Sequence, residues 1–223
     1  MRRRLYLMRH AAVAYVGPDG RPVDPDDVAL TPAGVEQAQR AAAVLGEVRI
    51  DRVITSGLRR TLETARIAAP GHKPEVWPEV REVRPGHMGQ VSAAEAKRLV
   101  TRAFAGDVPL EATFLGGESF GSLVDRVASA VERLAADPAW DTVLAVLHGG
   151  VNRALLSYVL TGERRFLGSF EQAPGCFNVL DLGDHGWIVR AVNVNPSDLL
   201  HLRTRATTME ELWAEYVPYR QGR

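Results

Sequence analysis

The chain has 223 residues and a mass of 24.4 kDa, a size that suits one α/β domain with a substantial core. Its 27 basic and 27 acidic side chains cancel, which removes any global electrostatic footprint for nucleic acid or a membrane surface. A lone cysteine, Cys176, excludes an intramolecular disulfide framework, and no stretch approaches the ~20 apolar residues of a membrane span; a cytoplasmic protein is expected.

In chain order, RLYLM (4–8) reads as a short buried strand that ends in Arg9 and His10. VGPDGRPVDPDD is dense in Gly, Pro and Asp and reads as a surface loop. The next segment predicts a helix with Thr31 as N-cap, Pro32 in the first turn, Val35, Ala38, Ala42 and Leu45 on one face, and a stop at Gly46. DRVITS (51–56) is a second strand, and Ser56 is read as the cap of a helix closed by Pro70 and Gly71. Residues 76–80 extend briefly, and the stretch from Arg84 to Gly117 is irregular except for a helical pattern near 93–104. A helix over 119–136 carries the stripe Leu123, Val127, Val131 and Leu134. DTVLAVLHGG (141–150) is the strongest buried strand, followed directly by a helix over 151–161. CFNVLDLGDHGWIVRAVNV reads as a hairpin turning at Gly-Asp-His-Gly, and the tail carries one helix near 207–217. Strands alternating with helices predict a three-layer α/β/α sandwich with a mostly parallel sheet, formed by a single domain over 1–223. A lid-like insertion is expected at about 84–117 and a C-terminal tail at about 196–223.

Two strands end alike: one in Arg9–His10, the other in His148 followed by Gly149 and a helix. A third strand–helix junction sends Arg59 and Arg60 into the first turn of its helix. Junctions of this kind in a parallel sheet open at one edge, where ligands bind. Arg9, His10, His148 and one of Arg59 or Arg60 could therefore converge, with the Gly149–Gly150 backbone at a helix N-terminus. Such a set suits a dianionic tetrahedral group, and phosphate is the obvious candidate because guanidinium forks match its oxygens. All but two of the 27 basic residues are Arg, so any single arginine is weak evidence on its own.

The ordered motifs are more specific. LYLMRHA, VALTPAGVEQA, SGLRRTLETA, REVRPGHMG, GGES (116–119) and LAVLHGG together resemble the histidine phosphatase superfamily, the phosphoglycerate mutase-like family, over roughly residues 4–195. The resemblance selects Arg60 over Arg59 and nominates Glu82. It implies a phosphatase that hydrolyses a phosphate monoester through a phosphohistidine on His10. Arg9, Arg60 and His148 would hold the phosphoryl oxygens together with the Gly149 backbone, and Glu82 would act as general acid and then base. It implies a phosphoglycerate mutase-like fold and neither metal nor cofactor. The chain departs from the family pattern at Ala11, where glycine is usual, and at Val16, where a polar residue is common. REVRPGHMG lacks the Arg-x-Tyr-Gly pattern of the cofactor-dependent mutases, which favours phosphatase over mutase-type phosphoryl transfer. A non-catalytic phospho-ligand or protein-binding member of the fold is the rival from another class. The expected partner is a small-molecule phosphate ester, with no nucleic acid and no membrane, and a homodimer is allowed for. Tyr15, Arg21, Arg84, His87, Arg98, Arg102, Phe104 and Phe114, from the irregular segments, are the expected contacts to the leaving group.

Overall fold

The computed structural model describes residues 2–18, 20–86, 91–202 and 205–220, with residues 218–220 described by backbone alone. The elements in order are β1 (Arg3–Arg9), α1 (Pro32–Leu45), β2 (Arg52–Thr55), α2 (Arg59–Ala68), β3 (Glu75–Val76) and a 3-10 turn at Pro78–Val80. They continue with α3 (Ala93–Thr101), β4 (Asp107–Val108), α4 (Phe120–Ala136), β5 (Thr142–Leu147), α5 (Gly149–Thr161) and β6 (Phe166–Leu167). The chain closes with β7 (Phe177–Gly183), β8 (Gly186–Val194) and α6 (Thr208–Arg220). Six strands form one sheet in the order β3-β2-β5-β1-β7-β8. The pairs β3–β2, β2–β5 and β5–β1 are parallel, whereas β7 and β8 join antiparallel as a hairpin. β4 and β6 pair separately as a small antiparallel ribbon.

Period-two alternation along the central strands builds the two outer layers. Leu5, Leu7, Val143, Ala145 and Leu147 face α4 and α5, meeting Leu123, Val127, Val131, Val151 and Leu155. Met8, Leu144 and Val146 point the other way, onto Ala41 and Leu45 of α1 and Ala65 and Ala68 of α2. β5, buried along its whole length, carries only apolar side chains from Val143 to Leu147. The mostly parallel three-layer sandwich follows from that patterning.

Three local readings need correction. The buried stripe of α1 is Gly34, Ala38, Ala41 and Leu45, not the face through Val35 and Ala42. The helix turns Gly34 toward β1 because a Cβ there would stand 2.2 Å from the Ala12 carbonyl oxygen. Gln37 and Thr31 hold the same chain exit: the Ala12 N–H donates to Gln37 Oε1 at 2.8 Å, and the Thr31 N–H donates to the Ala12 oxygen at 3.0 Å. Ser56 is not a helix cap. Gly57 adopts φ 84° and delays the helix to Arg59, so Leu58 is the N-cap residue without a side-chain cap. The Ser56 hydroxyl still accepts the Leu58 N–H at 3.3 Å and meets Thr61 Oγ1 at 3.1 Å, and it also reaches the site described below. α5 also begins earlier than expected, at Gly149.

Candidate active site

Strand register brings the site together. Arg9 is opposite Leu147 across β1 and β5, and Thr55 is opposite Val146 across β2 and β5. The residues that follow, His10, His148 and Ser56, therefore leave neighbouring strands at one edge of the sheet. The rings of His10 and His148 meet edge to face with centroids 5.3 Å apart, and both are buried. His10 Nδ1 lies 2.8 Å from its neighbour's carbonyl, Ala11 O. A carbonyl only accepts, so Nδ1 carries the proton and Nε2 keeps its lone pair. His148 Nε2 lies 2.7 Å from Ser56 Oγ, and its Nδ1 is buried without a hydrogen-bond partner.

Two guanidinium groups flank the rings. Arg9 donates through Nη1 to the Gln172 carbonyl, and Arg60 through Nη1 to the Pro25 carbonyl. Each is tethered at one end, while Nε of both is buried and unpartnered. Among the described residues no carboxylate forms an ion pair with either. Burial, with the charges of Arg9 and Arg60 added, pushes His10 well below the ordinary histidine range. Burial does the same to His148, helped by Arg60, His10 and Arg9. Both imidazoles are thus neutral near pH 7. Arg59, by contrast, is half-exposed and pairs with Glu63 at 2.8 Å. Arg60 is only 2% exposed, which separates these sequence neighbours.

Glu82 sits at the N-terminus of α5. Its carboxylate accepts from the Val83 N–H at 2.9 Å and the Gly150 N–H at 3.2 Å. A Cβ on residue 150 would come within 2.6 Å of Glu82 Oε1, so the second glycine of LHGG admits the carboxylate. Gly149 leaves room of the same kind for the Arg9 and Arg153 guanidiniums.

Arg9, His10, Arg60, Glu82 and Gly149 all line one cavity of about 570 Å³. Of the residues expected at the leaving group, Tyr15, Arg84, Phe104 and Phe114 line it too. Arg21, Arg98 and Arg102 do not; they are exposed, and Arg98 pairs with Glu95 on its own helix. His87 lies outside the described residues. Sequence reasoning missed Arg153, a 2% exposed arginine of α5 that lines the cavity beside Arg9. Its pKa is lowered to about 10 by burial, against the pull of Glu171, so it remains a cation. Also missed was the wall made by α6, where Thr208, Met209, Leu212 and Glu215 face the cavity and the helix packs on α3. Cys176 is buried and its thiol is pushed up to about 12 by burial, so it is inert.

The model of the histidine phosphatase superfamily (branch 1) matches residues 5–195. Phosphoglycerate mutase-like protein 4 of Arabidopsis thaliana is 33% identical over 74% of this chain and 74% of its own. The metal-independent phosphoserine phosphatase of the same plant is 31% identical over 89% of this chain and 82% of its own. Among solved structures, a mycobacterial glucosyl-3-phosphoglycerate phosphatase in complex with VO3 superposes with a TM-score of 0.69 at 26% identity, covering 86% of this chain and 98% of that one. The strand-end histidines, the two tethered arginines and the match across most of the chain agree: this protein belongs to the histidine phosphatase superfamily.

Proposed function

We propose that the protein hydrolyses a phosphate monoester through a phosphohistidine on His10. The observation that carries this reading is the set of unpartnered nitrogens. Five buried side-chain polar atoms lack a partner among the described residues, and three of them are Arg9 Nε, Arg60 Nε and His148 Nδ1. Buried polar groups are rarely left unsatisfied. These three belong to His148, whose ring meets that of His10 at 5.3 Å, and to the two arginines whose charges act on both rings, a set suited to the oxygens of a phosphoryl group. His10 Nε2 attacks phosphorus in line as the ester P–O bond breaks, and Glu82 in its protonated form gives that proton to the departing alkoxide. Water then attacks the phosphohistidine, Glu82 takes its proton, and inorganic phosphate leaves. Arg9 and Arg60 offset the charge spread over the equatorial oxygens. His148 Nδ1 is the third donor, its ring neutral in the empty site and charged once the anion offsets that charge.

The alcohol portion occupies the rest of the cavity, against Phe104, Phe114, Leu115, Met209 and Leu212. That wall favours an ester with a sizeable apolar part over a three-carbon one.

Rapid quench of turnover with a phosphorus-labelled ester should trap an alkali-stable, acid-labile phosphoryl group on the protein, and His10→Ala should abolish it. Label persisting in that variant removes His10 from the role. A trapped intermediate that returns its label to substrate rather than to water would favour the mutase-type alternative. No turnover of any ester, with phosphate still bound, would favour a binding protein.

A further inference from the structure

The motif GGES has no role in the chemistry above, yet its glutamate is the buried partner of Arg126 at 2.8 Å and, more distantly, of the exposed Arg84 at 3.9 Å. Glu118 has a side chain 1% exposed. Its Oε1 accepts from Arg126 Nε at 2.8 Å, and its Oε2 accepts from Arg126 Nη2 at 3.0 Å. Oε2 also accepts the Arg84 N–H at 3.0 Å, and the backbone N–H of Glu118 donates to the Arg84 carbonyl at 2.9 Å. The remaining guanidinium donors reach across to one short segment. Nη1 donates to the carbonyls of Glu79 at 2.7 Å and Arg81 at 2.6 Å, and Nη2 to that of Glu82 at 3.3 Å. All five N–H donors of Arg126 are used. Three go to backbone oxygens between residues 79 and 82, and two to the carboxylate that also grips residue 84.

The segment so held carries Glu82, and it has little other regular structure: a 3-10 turn ends at Val80 and no strand follows before residue 86. We infer that Glu118 and Arg126 form a clamp that positions Glu82 for proton transfer. They are positioning residues, since neither is needed to hold the phosphoryl group. The inference rests on the reading of Glu82 as acid and base. The physical requirement is strict, because a displacement of about 1 Å in a reacting group can lower the rate ~10²-fold. A lysine in place of Arg126 supplies one compact charge and cannot satisfy a carboxylate and three carbonyls at once.

The test uses two esters, an alkyl phosphate and a nitrophenyl phosphate, whose leaving group scarcely needs a proton. Glu118→Gln and Arg126→Lys should each lower kcat for the alkyl ester by about 10- to 100-fold and for the nitrophenyl ester by less than about threefold. Inhibition by inorganic phosphate should stay within about twofold, because the arginines that meet it are untouched. In the Glu82→Gln background, adding Glu118→Gln should cost nothing further on the alkyl ester, the non-additivity of residues acting as one unit. Equal losses on both esters, weaker phosphate inhibition, or additive losses in the double variant would make the pair a general structural support and overturn the clamp. Unchanged turnover of the alkyl ester in both single variants would overturn it as well. If Glu82→Gln alone shows no leaving-group dependence, the acid–base reading fails first and the clamp falls with it; the single-variant data tell the two failures apart.

Discussion

Acidification should unfold this protein earlier than its carboxylates alone would require, and the reason is the neutral histidine pair. An unfolded histidine binds its proton near pH 6.5. His10 and His148 do so only well below that value, because burial and then the adjacent arginines oppose a further charge. Between the two values the unfolded chain binds more protons than the folded one. Stability therefore rises with pH across this window, is fully present above about pH 6.5, and is lost as the pH falls below it. Each group contributes at most about 1.36 kcal/mol per pH unit, so the slope from the pair is about half its limit at about pH 6.5 and approaches about 2.7 kcal/mol per unit near pH 5.5. Urea denaturation in non-phosphate buffer at pH 7.5, 6.5, 6.0 and 5.5 would read that slope above the range where the paired carboxylates titrate. His148→Gln should roughly halve it while leaving stability at pH 7.5 less affected. Saturating phosphate should flatten it, since a bound dianion favours the imidazolium. Stability that is level from pH 6.5 to 5.5, or a slope unchanged in His148→Gln, would refute the placement of two neutral buried imidazoles.

Arg60→Ala should weaken inhibition by phosphate about 10- to 100-fold, the value of one charge-assisted hydrogen bond to a dianion. Arg59→Ala, on the exposed side of the same helix and paired with Glu63, should change it within about twofold; the reverse ranking would exchange their assignments. Activity should survive strong chelation, with no gain on adding divalent metal, because Arg9 and Arg60 already supply fixed positive charge. Vanadate should inhibit more tightly than phosphate, since it adopts the five-coordinate geometry of in-line attack. Loss of turnover in chelator with recovery on metal addition would contradict this charge inventory.

The sheet was readable because apolar runs such as VLAVL have little choice but burial on both faces, and the strand-end position of His10 and His148 followed from where those runs stop. The position of β5 between β1 and β2, which sets the two rings side by side, depends on pairing across more than 130 residues of sequence (Arg9 with Leu147), and no local signal encodes it. Ser56 was misread because a serine at a strand–helix junction fits an N-cap, and only the positive φ of Gly57 moves the helix start away from it. Arg126 and Arg153 were invisible for a compositional reason: in an Arg-rich chain nothing local marks the arginines that are buried. The α6 wall was illegible because its apolar residues follow no clear helical stripe. Its packing against α3 and the cavity, rather than a single buried face, decides which of them are covered.

Many of the arginines outside the site meet a carboxylate. Arg4 and Arg190 share Asp181, Arg52 meets Glu75 and Asp137, Arg126 meets Glu118, and Arg164 meets Asp125. Those charges are balanced within the fold and ask nothing of a ligand. Among the described residues Arg9 and Arg60 are anchored to carbonyls and not to a carboxylate, which orients a guanidinium without neutralising it; Arg3 is held by carbonyls too, but away from the cavity. Beside them the fold places imidazoles that these same charges keep neutral. A carboxylate in reach of either arginine would have stabilised the folded chain but occupied the forks that an anion needs. On the reading proposed above the countercharge comes from the substrate: Arg9 and Arg60 stand without an ion pair, Arg153 beside them faces Glu171, and His148 takes up a charge only when an anion offsets it. A dianionic monoester matches that demand and a singly charged diester does not. If the proposed chemistry holds, the imbalance that weakens the folded protein in acid is also what would select a phosphoryl group and leave His10 with a free lone pair to attack it.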